Sequence, residues 1–415
     1  MFTPTPTQAT PHPNRFGMFL HWGLYAIPGV HEQVLARGDW SHADYEALAA
    51  QFDPVRFDPD AWVRLAEDAG MTYLCVTAKH HDGFCLWDTR ETDYNIMHTP
   101  YGRDVLAMLA EACARRRMKL SLYYSLPDWH HPDAYNPLSS HQWKARNPGG
   151  GDYARYLAFV KAQIRELLTN YGEIYTFFWD IPPHIEDPSV NALVRSLQPG
   201  ILINDRGFDG GDFATPERTV PDGDRFPAMT EACQSVGAES WGWRIDEDYF
   251  SARYLMSSID KIMAMGGSYL LNVGPDALGE IPAKSKALVA RIGRWYRQVS
   301  AGLEGAVVPA RAYHLRGEDP WIATERDGVT YFHFWKGLSR TAVTFLYDDL
   351  PAPRRAVLCN TGEALRLRYD TLPTLLDEDH VARRKTWSIA DIPVDAIPDE
   401  PPVIAVEWSA DTNEV

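Results

Sequence analysis

Along the first 300 or so residues, short continuous apolar runs alternate with stretches in which apolar residues recur every three or four positions. The runs are "RFGMFLHW" (15–22), "MTYLCVTA" (71–78), "MKLSLYYS" (118–125), "EIYTFFWD" (173–180), "GILINDR" (200–206) and "SYLLNVG" (268–274). Rich in aromatic and β-branched residues, they predict strands buried on both faces. Between them lie helical stripes. Tyr156, Val160, Ile164, Leu167 and Tyr171 form one that stops at Gly172; Leu255, Ile259, Ile262 and Met263 form a second; Leu288, Ile292, Trp295 and Val299 form a third. Such alternation predicts a (β/α)8 barrel or a doubly wound sheet. No Gly-rich phosphate loop follows the first run, which weakens the second choice. Nearly every run also ends in polar or aromatic residues, from His21-Trp22 to Asn272. A barrel would gather those ends on one face, where its sites lie. The expected fold class is therefore α/β, a (β/α)8-type TIM barrel over 14–304.

After about residue 305 the texture changes. "VTYFHFW" (329–335), "AVTFLY" (342–347), "RAVLC" (355–359), "ALRLRYD" (364–370) and "PVIAVEW" (402–408) are separated by turn residues with no helical period. They predict a small C-terminal antiparallel β-sandwich over 305–415. Residues 1–13, rich in Pro and Thr and lacking an apolar core, are expected to be a disordered lead without a signal peptide, so a cytoplasmic location is expected.

Composition narrows the function. Forty Lys and Arg against 56 Asp and Glu give a net charge of −16 with no basic run, which argues against nucleic acid and anionic membranes as partners. Fourteen Trp and 20 Tyr offer platforms for sugar rings, though such residues also fill cores. The five cysteines form no C-x-x-C pair and suggest neither a disulfide framework nor a zinc knuckle.

The densest chemistry is "TAKHHDG" (77–83), directly behind an apolar run. Its His80 and His81, with His21, have a metal reading, since imidazoles are common ligands. Adjacent histidines on a continuing strand would face opposite ways, however, and no H-x-H pair stands on the first strand. Bonding of neighbouring loops is the plain alternative. Bonding of a polyhydroxylated ligand suits imidazole best, because it donates and accepts at once. Asp180 is sharper: a carboxylate after "YTFFW" is costly unless paired or used. Pairing with Arg206 would explain it structurally. In a retaining glycosidase it would be the nucleophile, with a second carboxyl about 5 Å away as acid and base.

These residues carry a resemblance. "RFGMFLHWGLYAIPG", "YLCVTAKHHDGFCLWDT", "YTFFWD", "INDRGFDGGDFATPER" and "ESWGW…GGSYLLNVGPDALGEIP" together resemble the α-L-fucosidases of glycoside hydrolase family 29, from about residue 14 to 300. The resemblance implies a retaining exo-α-L-fucosidase that needs no cofactor or metal and acts on fucosylated oligosaccharides or glycoconjugates; a homo-oligomer is left open. It implies Asp180 as nucleophile and Glu217 as acid/base, with Glu231 as the alternative acid/base. It implies His21, Glu32, His80, His81, Tyr124, Arg206 and Trp241 as sugar-binding residues, and Lys79 and Asp82 as supports for the histidines. An acid at Glu217 calls for apolar surroundings. The chain departs from the family at Glu32-Gln33, where Glu-Trp is common, so an amide replaces an indole and Trp40 is a nearby substitute. Two rivals follow from the same residues, a metal-dependent barrel hydrolase and a non-catalytic carbohydrate-binding protein.

Overall fold

The computed structural model describes residues 15–346, 350–373 and 383–409; the lead expected at 1–13 lies outside them. Seven parallel strands are β1 (Phe16–Leu20), β2 (Tyr73–Lys79), β3 (Lys119–Ser125), β4 (Ile174–Asp180), β5 (Leu202–Ile203), β6 (Glu231–Ser235) and β7 (Ser268–Val273). They run in the order β5-β4-β3-β2-β1-β7-β6. An irregular stretch closes the gap between β5 and β6. Asn204 bridges Phe213, Ala214 bridges Thr230 and Glu217 bridges Cys233, all in parallel. The eighth stave of the barrel is thus the segment 213–217. Pro216 has no N–H to give a ladder, which is one reason the stave consists of isolated bridges.

The helices are α1 (Val34–Arg37), α2 (His42–Glu46), α3 (Pro59–Asp68), α4 (Val105–Arg116), α5 (Tyr153–Asn170), α6 (Pro188–Leu197), α7 (Ala252–Ala264) and α8 (Ala283–Val299). Sequence explains their bounds. Asp58, Asp104, Asp152, Asp187 and Ser251 each cap the first turn of a helix with a side-chain oxygen. The stripe of α5 buries Tyr156, Val160, Ile164 and Leu167 as its spacing predicts, while α8 buries Val289 and Tyr296 where Leu288 was expected. The barrel expectation holds, and its two unforeseen staves have a common cause. "EACQS" and "FATPE" are short and polar or proline-broken, so neither reads as an apolar run.

The second sheet is antiparallel and separate: β8 (Ile322–Arg326), β9 (Val329–His333), β10 (Val343–Thr344), β11 (Pro353–Leu358), β12 (Glu363–Pro373), β13 (Arg383–Ala390) and β14 (Val403–Trp408). Ala323, Phe332, Val343, Leu358, Leu365, Ile389 and Ile404, one from each strand, meet in a single apolar cluster, so the sheet folds over itself in sandwich fashion. Ile322, Tyr331 and Val403 instead join the barrel's core. Among the described residues no helix is long and apolar enough to cross a membrane.

Candidate active site

The C-terminal ends of the strands open onto a cavity of about 110 Å³ lined by Phe19, His21, Glu32, Gln33, His80, His81, Tyr123, His141, Phe178, Asp180, Ile181, Arg206, Glu217, Cys233 and Trp241. Strand geometry explains how "TAKHHDG" reaches it. The pairing of β2 with β3 slips between Thr77 and Lys79, a bulge that turns Lys79 outward onto Tyr124. There its ammonium meets Asp128 at 2.7 Å and Tyr156 at 3.1 Å. The strand ends at Lys79, so His80 and His81 are freed from strand alternation, and both rings line the cavity with centroids 4.2 Å apart. Asp82 accepts from Tyr45 Oη at 2.8 Å, and burial pushes its carboxyl up to about 6. Gly83 has φ +81°, and a Cβ there would stand 2.4 Å from Asp128 Oδ1. Only glycine keeps that turn without displacing the partner of Lys79.

The three histidines are neutral at ordinary pH. Burial lowers His21 to about 4 and lowers His80 and His81 well below the usual imidazole value, with the neighbouring rings adding repulsion to the last two. Hydrogen bonds assign the tautomer of His81. Ser125 Oγ donates to Pro127 O at 2.7 Å, so His81 Nδ1 is the donor in its 2.6 Å contact with Ser125. His81 Nε2 is then an acceptor, 3.7 Å from Asp180 Oδ2. Either acceptor is placed to receive a proton from a ligand hydroxyl. His21 Nδ1 contacts Asn272 Oδ1 at 2.7 Å, and its ring stacks on Trp241 at 5.2 Å.

Asp180 stands at the end of β4 with Tyr123 Oη donating to Oδ2 at 2.6 Å and Arg206 Nη1 donating to Oδ1 at 3.0 Å. Burial alone would raise its carboxyl. The Arg206 charge and the Tyr123 hydrogen bond outweigh that and hold it below the usual aspartate value. The same Nη1 donates to Glu217 Oε2, also at 3.0 Å. The two carboxylate oxygens therefore lie no further apart than twice that distance. Both carboxyl groups are thus close enough to reach one sugar ring, as a nucleophile and an acid/base must be. Glu217 does not sit in the apolar surroundings expected of it: its side chain is 40% exposed and bonded to Arg206.

Glu32 Oε2 accepts from Ser240 Oγ at 2.7 Å and from the backbone N–H of Trp241 at 2.9 Å, so it fixes the loop that presents Trp241. Gln33 lines the cavity, and Arg37 Nε donates to its Oε1 at 3.0 Å. Trp40 does not line the cavity; its ring packs edge-on to Tyr45.

Two expected residues lie elsewhere. Tyr124 points away from the cavity, its hydroxyl donating to Gln163 of α5 at 2.6 Å; Tyr123 takes the expected place. The register pairs Tyr123 with Phe178 and Tyr124 with Trp179, so alternation counted back from Asp180 gives the inward tyrosine as Tyr123. Glu231 opens β6 at the barrel's opposite end, where Tyr73 Oη donates to it at 2.5 Å, and it does not line the cavity. Tyr123, His141, Phe19 and Phe178 escaped the sequence reading. Alternation marks the first, third and fourth, but His141 lies in the long connection between β3 and α5, which has no periodicity to follow. Among the described residues no group of three or more His, Cys, Asp or Glu is placed to hold a metal ion.

The family described as Alpha-L-fucosidase matches residues 5–300. An "Alpha-L-fucosidase" of Dictyostelium discoideum is 24% identical over 381 residues, covering 81% of this chain and 79% of its own. The structure of "Alpha-L-fucosidase isoenzyme 1 from Paenibacillus thiaminolyticus" superposes with a TM-score of 0.81 at 31% identity, covering 96% of this chain and 97% of that one. A Bacteroides thetaiotaomicron GH29 α-L-fucosidase, described as a trapped covalent intermediate, superposes with a TM-score of 0.78 at 25% identity, covering 96% and 95%.

Proposed function

The chain belongs to the α-L-fucosidase family, and on that premise we propose that Asp180 and Glu217 carry out a double displacement on terminal α-L-fucosides. It is a retaining glycoside hydrolase that acts through a covalent fucosyl-enzyme intermediate, as the trapped intermediate of its Bacteroides relative indicates. An ionised Asp180 Oδ attacks C1 of the sugar as the bond from C1 to the leaving oxygen breaks, and Glu217 gives that oxygen its proton. Glu217 then takes a proton from water, the water oxygen bonds C1, and Asp180 leaves as the carboxylate. The observation that carries this reading is Arg206 Nη1, shared between the two carboxylates at 3.0 Å each above a cavity of neutral histidines.

Arg206 has two roles in this account. It keeps Asp180 ionised, and it holds Glu217 near the sugar until the substrate covers the exposed carboxyl and expels its water. His21, His80 and His81 bond the sugar hydroxyls, Trp241 packs on the ring, and Glu32 holds Trp241 in place. Tyr123 takes the part foreseen for Tyr124. The substrates are fucosylated oligosaccharides or glycoconjugates.

Release of nitrophenol from an aryl α-L-fucoside by the wild-type chain, Asp180→Gly and Glu217→Gly tests the roles. Asp180→Gly should lose turnover. Glu217→Gly should recover part of it when azide, which needs no deprotonation, replaces water as acceptor. Full turnover by Asp180→Gly would reject the assignment.

A further inference from the structure

We propose that the connection between β3 and α5 carries a leaving-group subsite, in which Trp143 and His141 stack a hexopyranose ring whose hydroxyls Arg37 bonds. The inference rests on the fucosidase reading of the cavity and adds the residues that receive the aglycone. Of the 14 tryptophans in the chain, Trp143 is the one exposed among the described residues, at 56%. An indole held in water is costly unless something covers it. Trp143 is linked to the catalytic groups through a relay of ring contacts. His81 Nε2 is 3.7 Å from Asp180 Oδ2, the His141 ring is 5.3 Å from the His81 ring, and the Trp143 ring is 4.6 Å from the His141 ring. The platform therefore stands at the rim of the cavity, which His141 itself lines, on the way out for any group attached to the sugar.

The local backbone holds this platform ready. His141 has φ +63°, an unfavourable conformation for a residue with a Cβ, and its carbonyl accepts from Trp129 Nε1 at 2.8 Å. Ser140 Oγ contacts His141 Nδ1 at 2.9 Å. The N–H of Ala145 closes a turn onto Gln142 O at 2.9 Å, and His42 Nε2 contacts Lys144 O at 3.0 Å. Trp143 is thus presented on a turn tied at both sides, which lowers the cost of ordering it around a ligand.

Arg37 supplies the polar group, tied to the cavity through Gln33, which lines it together with His141. Its Nε is committed to Gln33 Oε1 at 3.0 Å, and its charge is felt at His141, as are those of Asp180 and Glu217. Its two terminal nitrogens have no protein partner among the described residues and are free to donate to hydroxyls. A ring with an apolar C–H face and hydroxyls at its edge, a hexopyranose, matches this pair of surfaces; an alkyl chain would leave the guanidinium without a partner.

The test is a ratio of kcat/KM values, for an α-L-fucosyl hexopyranose disaccharide over α-L-fucosyl fluoride, whose leaving group has no ring. Trp143→Ala should lower that ratio about five- to tenfold, chiefly through KM, and Trp143→Phe should restore most of it. A fall of less than about threefold, or an equal loss on both substrates, overturns the subsite. Wild-type protein that cleaves neither substrate overturns the fucosidase reading itself.

Discussion

Single residues decide the electrostatics of the site, and Arg206 decides most. Without it, burial is the largest influence on Asp180, and the carboxyl moves up. The acidic limb of kcat/KM governed by Asp180 is therefore expected below the aspartate reference of 3.8 in the wild type. In Arg206→Met it should move above that value; an unmoved limb would show that Arg206 does not set the ionisation of Asp180. Asp180→Asn should lower kcat by about a thousandfold or more with the fold intact. Glu231 offers a contrasting case. Burial raises its carboxyl from 4.5 to about 7, above its unfolded value. The protonated form is thus favoured by folding, and that stability is fully present below pH 4.5 and is lost as pH rises through 7. Glu231→Gln, which keeps the neutral shape, should stabilise the protein at pH 8 relative to pH 4 by up to about 3 kcal/mol. Equal melting-temperature shifts at the two values would contradict this. The sequence made Asp180 legible, since a carboxylate directly behind three aromatic residues in an otherwise apolar run announces itself. It could not separate Glu217 from Glu231, because both follow β5 in the chain and only their depth in the barrel distinguishes them.

At the scale of elements, β3 shows how one position changes the meaning of a residue. Tyr123 and Tyr124 are adjacent and chemically alike, yet one bonds Asp180 and the other bonds Gln163. Tyr123→Phe should lower kcat/KM about tenfold and raise the acidic limb, because it removes a donor to the nucleophile. Tyr124→Phe should leave kcat/KM within about twofold but cost roughly 1–3 kcal/mol in urea denaturation, since it strands a buried amide oxygen. The opposite pattern would reverse the two assignments. The apolar runs made six strands readable, and the alternation within them was readable too once Asp180 fixed the inward face. The irregular stave 213–217 was not, because its bridges depend on β5 and β6 rather than on its own pattern. That stave carries Glu217, and Arg218 after it has φ +51°, as Ile181 after Asp180 has φ +58°. Both carboxylates thus sit where the backbone leaves regular structure, as functional positions commonly do.

For the whole molecule, we propose that 14–304 and 305–415 are two domains in architecture but one unit in folding. The buried Asp260 of α7 meets His333 of β9 at 2.7 Å, and His333 Nε2 contacts Thr324 Oγ1 at 2.9 Å, all within the shared interior. Arg15, ahead of β1, donates to the carbonyls of Gly267 and Leu303, tying the strand entrance to the end of the barrel. His333→Ala, which strips the partner from a buried carboxylate, should cost about 3–5 kcal/mol while a single unfolding transition persists. Two separated transitions in the wild-type protein would refute the one-unit account. Five of the sandwich's seven strands were readable between turns, while β8 and β13 were not, and nothing in the sequence indicated which residues would join the barrel's core.

The most direct test of the central claim is to find which residue bonds the sugar. The protein, incubated with 2-fluoro-fucosyl fluoride and digested, should give one peptide heavier by a fluorofucosyl group, with the label on Asp180. A label on Glu217 or on any other residue, or no label in a protein that turns over fucosides, would contradict the account.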